Sequence, residues 1–170
     1  MSSFEESGTR GVLAFDHFAA VPARVVLDSW FLRRAIDTTA RGHDAAAAFL
    51  QRLDLVSADC FYNGLTELEL IESAHAIGRP GLLAEWGTIK STTRVYWVGV
   101  DEVADDVEAL VARYGLTASG AIQVATTIAV DADALVSVDP GLAVVDAATL
   151  SLLVDVDSVA AARRYRGQPS

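Results

Sequence analysis

The sequence has 170 residues, of which 13 are lysine or arginine and 23 are aspartate or glutamate, giving a formal net charge of −10 at pH 7. That acidic balance argues against broad, non-specific binding to nucleic acid, because such binding depends on neutralising phosphates with basic side chains. The length predicts one domain with a substantial core. Cys60 is the single cysteine, which excludes an internal disulfide and a cluster of thiolate metal ligands.

Hydropathy favours a cytoplasmic chain. The mean hydropathy is +0.32, yet no apolar run approaches the ~20 residues needed to cross a bilayer. Residues 1–8 are largely polar and acidic, the opposite of a secretory signal. Much of the apolar excess is alanine, but it leaves room for an apolar surface covered by a partner or a second copy of the chain.

Strand and helix patterns alternate along the chain. Short aliphatic runs indicate buried strands, and apolar residues at 3.6-residue spacing indicate helices. Strands are predicted over 24–28, 59–64, 94–100, 134–138 and 142–145. Helices are predicted over 29–40, 43–54, 66–78, 103–114 and 117–130, with a short helix over 82–86 and then a loop in the ambiguous stretch 80–93.

This alternation predicts an α/β protein in which a central parallel sheet of about five strands lies between two layers of helices. Residues 1–22 are interpreted as an N-terminal extension and residues 23–150 as the domain. Residues 151–170 are interpreted as a C-terminal helix or tail.

Three acidic residues, Asp28, Glu69 and Asp139, each lie where a helix or turn follows an apolar stretch. In an open α/β sheet, ligands bind outside the carboxyl ends of the parallel strands, so these side chains are expected to meet in one crevice. Three carboxylates there would repel by about 3–4 kcal/mol per pair at ~5 Å and an effective dielectric near 20. Either some stay protonated or a hard cation lies among them. The pattern therefore predicts a divalent-metal phosphoryl-transfer site.

Each of these residues also has a purely structural interpretation. Asp28, or Ser29 beside it, is a favoured helix cap. Glu69 is placed to complete a capping box with Thr66, and Asp139 precedes a Pro-Gly turn. For each residue taken singly, the structural interpretation is favoured. The three residues taken together favour a functional site.

Four segments occur in the order and with the motifs of a known family. They are Val25–Leu32, which contains Asp28; Leu65–Leu70, an "L-T-x-x-E" helix start that selects Glu69; Tyr114–Thr126, against "G-L-x-x-x-D-A-x-x-x-A"; and Ala132–Asp139, against "A-D-x-L-V-T-x-D". Together they resemble the PIN-domain ribonucleases, especially the VapC-type toxins of bacterial toxin–antitoxin pairs. The resemblance covers residues 24–146 and implies a three-layer α/β/α PIN-like fold.

The resemblance also implies a metal-dependent endoribonuclease that hydrolyses RNA phosphodiester bonds. Asp28 and Asp139 would hold Mg²⁺ or Mn²⁺, and Glu69 would bind a second ion or orient water. Ser29 and Ser137 are candidates to hydrogen-bond the metal-binding carboxylates or to contact the phosphate. The implied partners are a small antitoxin that places a basic side chain in the acidic site, an RNA substrate and a second copy in a homodimer.

Two basic clusters can be interpreted either as binding sites or as ordinary solvated surface. Arg33, Arg34 and Arg41 lie on or just after the first predicted helix, where they are candidates to grip RNA phosphates, but ordinary surface arginines explain them equally well. The run Arg163–Arg166 is interpreted as a solvated tail.

Gly120 departs from the family pattern, because it stands where the family has its third acidic residue. If Thr117 caps the helix, position 120 lies in the first turn, where a carboxylate is favoured by the helix dipole. A natural degenerate site, a site that still holds one metal and the deliberate removal of a toxic residue remain open. The alternative function is therefore a non-catalytic PIN-like binding module. A phosphate-binding receiver-type domain would need an acidic pair after the first strand and a mid-sheet phosphoacceptor, and the sequence shows neither.

Overall fold

The computed structural model describes residues 12–14, 21–139, 141–142, 145 and 151–154. The strands in this part of the chain are β1 (Val12–Ala14), β2 (Arg24–Leu27), β3 (Asp59–Asn63), β4 (Val95–Val98), β5 (Ala134–Val136) and β6 (Ser151–Val154). The helices are α1 (Ser29–Ile36), α2 (His43–Leu55), α3 (Gly64–Ala76), α4 (Leu82–Thr92), α5 (Ala104–Tyr114) and α6 (Ala118–Ala129), with a 3₁₀ turn at Val100–Glu102. None of the helices described is long and apolar enough to span a membrane.

All strands of the described sheet run parallel, in the order β1-β6-β5-β2-β3-β4. The alternating side chains of β2 show why helices cover both faces. Val25 and Leu27 pack with α1 to α4, whereas Val26 packs with α5 and α6, because successive strand residues point to opposite faces. This confirms the predicted α/β class with a parallel sheet between helices.

Several segments differ from the sequence-based expectations. β1 and β6 form one side of the sheet although they lie in the segments interpreted as an extension and a C-terminal helix or tail. The sheet thus has six strands in the described residues, slightly more than the five predicted, and its central four are β6, β5, β2 and β3.

The strand predicted over 142–145 is wrong at both residues of that range that the structure describes. Leu142 lies in a 3₁₀ turn and Val145 in a bend. The reason is local, because the Leu142 amide donates to the Asp139 carbonyl and turns the chain at this point. In the opposite direction, α4 continues to Thr92 instead of ending near residue 86. Leu82, Trp86 and Ile89 pack against the core at i, i+4 and i+7, which gives the whole helix one buried face.

Asn63, at the carboxyl end of β3, fastens α3 to α6. Its Oδ1 accepts from the Thr66 amide at 3.0 Å, which caps α3. Its Nδ2 donates to Thr126 Oγ1 at 3.0 Å and Gln123 Oε1 at 3.3 Å. All four side chains are buried. A buried network of this kind specifies a fixed position of the start of α3 relative to the middle of α6.

Asn63→Ala is expected to lower the free energy of unfolding by about 2–3 kcal/mol, because it removes a helix cap and leaves buried polar groups unpaired. For a chain of this size that corresponds to a melting temperature lower by about 5–10 °C. Thermal melts followed by circular dichroism measure it. Thr88→Ala, which removes an exposed intrahelical hydrogen bond, is the control and should change little. A melting temperature for Asn63→Ala within 2 °C of the parent, as a rough threshold, would contradict the expected contribution.

Candidate functional site

Asp28 directly follows β2 and is 3% exposed. It caps α1, as predicted, with Oδ1 accepting from the Phe31 amide at 2.8 Å, while Ser137 Oγ donates to Oδ2. Burial raises the pKa of Asp28 from 3.8 to about 7. The hydrogen bonds from Ser137 and Phe31 oppose this rise, and the negative charges of Asp139 and Glu69 add to it. The hydrogen bonds to Asp28 therefore do not fully offset the cost of burying its negative charge.

Glu69 does not complete a capping box with Thr66, so that structural interpretation is wrong. The cap of α3 is Asn63, three residues before Thr66, which places Glu69 in the body of the helix. Its Oε2 accepts from Ser29 Oγ at 2.5 Å and its Oε1 accepts from Ser119 Oγ at 2.8 Å. The two hydroxyls belong to the first turns of α1 and α6, so one carboxylate joins the starts of two other helices.

Asp139 follows β5 after two intervening residues, and its turn interpretation is correct because its Oδ1 accepts from the Gly141 amide at 2.9 Å. The Asp139 amide donates to Ser137 Oγ at 3.0 Å. Ser137 thus bridges the Asp139 backbone and the Asp28 carboxylate.

The structure brings the three predicted acidic residues to the same end of the sheet. β5, β2 and β3 are neighbours, and each acidic residue follows the carboxyl end of one of these strands. Ser29 and Ser137 are in contact with the acidic residues, as expected, but Ser119 was missed. Its one sequence signal was its position next to Gly120 in the first turn of α6.

The donor atoms suit a hard divalent cation, although the carboxylates do not converge on one point. In the described chain, no group of three or more His, Cys, Asp or Glu side chains is arranged to hold an ion. Mg²⁺ commonly keeps several waters and takes only one or two protein carboxylates together with substrate phosphate. The residues therefore fit a weak two-carboxylate site better than a closed cage.

Gly120 lies in the first turn of α6, as the sequence predicted. Thr117 is the cap, and its Oγ1 accepts from the Gly120 amide at 3.1 Å. A Cβ at position 120 would meet Leu142 Cδ2 at 3.2 Å and Thr117 Oγ1 at 3.3 Å. The space beside this glycine is thus partly filled by Leu142, which is a core residue.

A cavity of about 640 Å³ opens beside the acidic residues between α1 and α3. Ser29 and Glu69 line it together with Arg33, Arg34 and Arg41, the three arginines singled out as phosphate-binding candidates. Its volume lies within the range of ~300–1,000 Å³ that is usual for ligand sites. The structure thus joins an acidic end and a basic wall in one concave surface.

No protein-family model matches the sequence, and no curated protein sequence is detectably similar. The structure does resemble solved structures. The toxin VapC20 of Mycobacterium tuberculosis, described as cleaving the sarcin–ricin loop, superposes with a TM-score of 0.56 at 12% identity over 68% of this chain and 89% of its own. FitAcB from Neisseria gonorrhoeae gives a TM-score of 0.51 at 14% identity over 76% and 96% of the two chains. These likenesses support the PIN-like fold that the motifs predicted.

Proposed function

We propose that the chain is a metal-dependent endoribonuclease toxin of a toxin–antitoxin pair, acting on RNA in the cytoplasm. The observation that supports it most is that Asp28, Glu69 and Asp139 lie at the same end of the sheet, where Glu69 also lines an arginine-lined cavity. The fold is shared with a toxin described as cleaving the sarcin–ricin loop. With a net charge of −10, the chain needs a local basic surface to bind RNA, and the cavity supplies one.

The residues divide the work. Asp28 and Asp139 are proposed to hold Mg²⁺ or Mn²⁺. A bound ion supplies a water of lowered pKa and positive charge beside the phosphate. Ser137 fixes the Asp28 carboxylate relative to the Asp139 backbone. Glu69, held by hydrogen bonds to both its oxygens, is proposed to bind a second ion or to orient the attacking water.

A second candidate function, a PIN-like binding module without catalysis, is favoured by one observation. A side chain at position 120 would bring its Cβ within 3.2 Å of Leu142 Cδ2, so the space for an acidic residue there is restricted. Metal titration separates the candidates, because the module has no need of an ion at Asp28.

A small antitoxin and a second copy of the chain remain the proposed protein partners. Apolar side chains on the surface offer contact area for both, among them Leu55, Leu68, Tyr96 and Ile128. Light scattering over a wide concentration range tests the homodimer. Co-purification with the product of a neighbouring small gene tests the antitoxin.

The nuclease proposal predicts slow RNA cleavage that requires Mg²⁺ or Mn²⁺ and stops with EDTA. End-labelled RNAs, including a sarcin–ricin stem-loop, are incubated with excess protein and resolved on denaturing gels. Glu69→Gln should reduce cleavage to background, because glutamine cannot accept a proton or carry the charge of a carboxylate. Glu85→Gln, which changes an exposed carboxylate on α4, should leave the rate unchanged.

Two results would overturn the nuclease proposal. Cleavage that survives EDTA or is equal in Glu69→Gln would come from a different nuclease. Absence of cleavage with either metal at high protein concentration, together with absence of metal binding, would favour the binding module.

A further inference from the structure

The α1–α3 groove, meaning the cavity lined by Ser29, Trp30, Arg33 and Arg34 on one side and by Glu69, Glu72 and Ser73 on the other, has a definite direction. Ser29 Oγ donates to Glu69, and Arg33 Nη1 donates to Ser73 Oγ at 3.2 Å. Both contacts join residues 40 positions apart, so the two helices run side by side in the same direction. One end of the groove is therefore the acidic end, and Arg33 lies about one helical turn, roughly 5–6 Å, further along.

The two walls of the groove carry different charges. Trp30, Arg33 and Arg34 follow an i, i+3, i+4 spacing and thus share one face of α1. The opposite wall has the carboxylate of Glu72 on α3. A polyanion in the groove is consequently favoured along α1 and disfavoured along α3. The basic wall extends away from the acidic end. A nucleic acid with one phosphate at the acidic end could therefore place its next phosphates along this wall.

Trp30 is 56% exposed and lies on α1 between Ser29 and Arg33, whereas Trp86 is 1% exposed in the core. An exposed indole in a concave, arginine-lined site offers a flat apolar face to a planar ligand. Nucleobases stack on such faces with little sequence preference, because every base has a π-face. In a duplex the bases are already stacked, so a protein tryptophan reaches them only in unpaired strands or loops.

We infer that the α1–α3 groove is a subsite for an unpaired RNA nucleotide flanking the phosphate at the acidic end. The base stacks on Trp30, and Arg33 and Arg34 bind the phosphate of that nucleotide. In taking the acidic end to be the place of cleavage, this inference rests on the proposed function. Binding in the groove itself needs neither the metal nor the reaction.

Binding is therefore measured in EDTA at low salt, by fluorescence anisotropy of a labelled single-stranded RNA decamer and of the same decamer paired with its complement. The single strand is expected to bind the parent protein more tightly than the duplex. Trp30→Ala should weaken single-strand binding about tenfold, since stacking on an aromatic side chain is worth about 1–3 kcal/mol per base. Trp30→Phe keeps an aromatic face and should retain most of the affinity.

Two further variants separate stacking from other effects. Trp97→Ala removes an equally exposed tryptophan, 57% accessible on β4 and outside the groove, and should bind RNA like the parent. Arg33→Gln should reduce the slope of log K against log salt by about 0.7, because one phosphate contact is lost. Thermal melts of every variant establish that each is folded.

The inference is overturned if folded Trp30→Ala binds the single strand as tightly as the parent, or if single strand and duplex bind equally in the parent. It is also overturned if Trp30→Ala changes the oligomeric state in light scattering and leaves RNA affinity unchanged, which would assign Trp30 to an interface between copies. The proposed function fails separately. Trp30-dependent binding without metal-dependent cleavage would keep the subsite and remove the nuclease, and the converse result would remove only the subsite.

Discussion

Asp28→Asn is expected to raise the free energy of unfolding of the metal-free protein at pH 8 by up to about 4 kcal/mol. Burial raises the pKa of Asp28 from 3.8 to about 7, and each pKa unit corresponds to about 1.4 kcal/mol of preference for the protonated form. At pH 8 the folded protein carries a buried carboxylate that costs this free energy. Asparagine has the same shape, still caps α1 and carries no charge.

The effect has a defined pH dependence. Between about pH 4 and pH 7 the folded state keeps the Asp28 proton while the unfolded state has lost it, so the stability of the parent falls as the pH rises through this window. Above about pH 7 both states are ionised and the Asp28 contribution is constant. Asp28→Asn lacks this fall, so its advantage should be near zero at pH 4 and largest above pH 7.

Urea unfolding of the parent and Asp28→Asn at pH 4.5, 6 and 8 measures the difference. Asp54→Asn, which neutralises an exposed carboxylate at the end of α2, should change stability by no more than about 0.5 kcal/mol. A destabilised Asp28→Asn at pH 8 would show that hydrogen bonds outweigh the burial of charge. If Asp28 binds metal, Mn²⁺ should stabilise the parent at pH 8 and leave Asp28→Asn unchanged, since a ligand stabilises only the state that binds it.

Gly120→Asp is expected to raise metal-dependent RNA cleavage about 10²-fold. A further carboxylate in the first turn of α6 would lie next to Ser119, which donates to Glu69. It would add a ligand where, among the described residues, no three such side chains are arranged to hold an ion. A charge-assisted contact in such a site is worth on the order of 3 kcal/mol, which is about two decades in rate. The helix itself should tolerate the change, because aspartate suits a first-turn position.

The expected gain in cleavage requires that the packing around position 120 accommodates a side chain. A Cβ there would lie 3.2 Å from Leu142 Cδ2, so the end of this leucine side chain has to shift by a few tenths of an ångström. If Gly120→Asp folds poorly, the double variant Gly120→Asp with Leu142→Val provides space at a cost of about 1 kcal/mol. The same expected gain in cleavage is then measured in the double variant.

Gly120→Asn is the matched control, since it adds the same volume without the charge and should not gain activity. Initial rates with Mg²⁺ and Mn²⁺, calorimetric metal titrations and EDTA quenching complete the measurement. A folded Gly120→Asp protein that binds metal no more tightly than the parent and cuts no RNA would replace the nuclease by the binding module.

The elements that could be predicted from the sequence are those whose signals are local. The apolar run of β2 and the periodic apolar residues of α2 and α5 are properties of adjacent residues, and they appear in the structure almost where the periodicity placed them. The same holds for Asp28 as a cap and for the turn at Asp139, because each depends on hydrogen bonds to residues two or three positions away. Alternation of such elements also determined the parallel α/β class.

Contacts between distant residues were decided only by the tertiary structure. Thr66 and Glu69 have capping-box spacing, yet Asn63 takes the cap and Glu69 turns to hydroxyls 40 and 50 residues away. Trp30 and Trp86 are alike in the sequence, but one lines a groove and the other fills the core. Propensity and periodicity act between neighbours along the chain, whereas burial and side-chain partners depend on which strands pair and in what register. The sequence therefore predicted which acidic residues are candidates for a site, and the order of β5, β2 and β3 in the sheet decided that they lie at the same end.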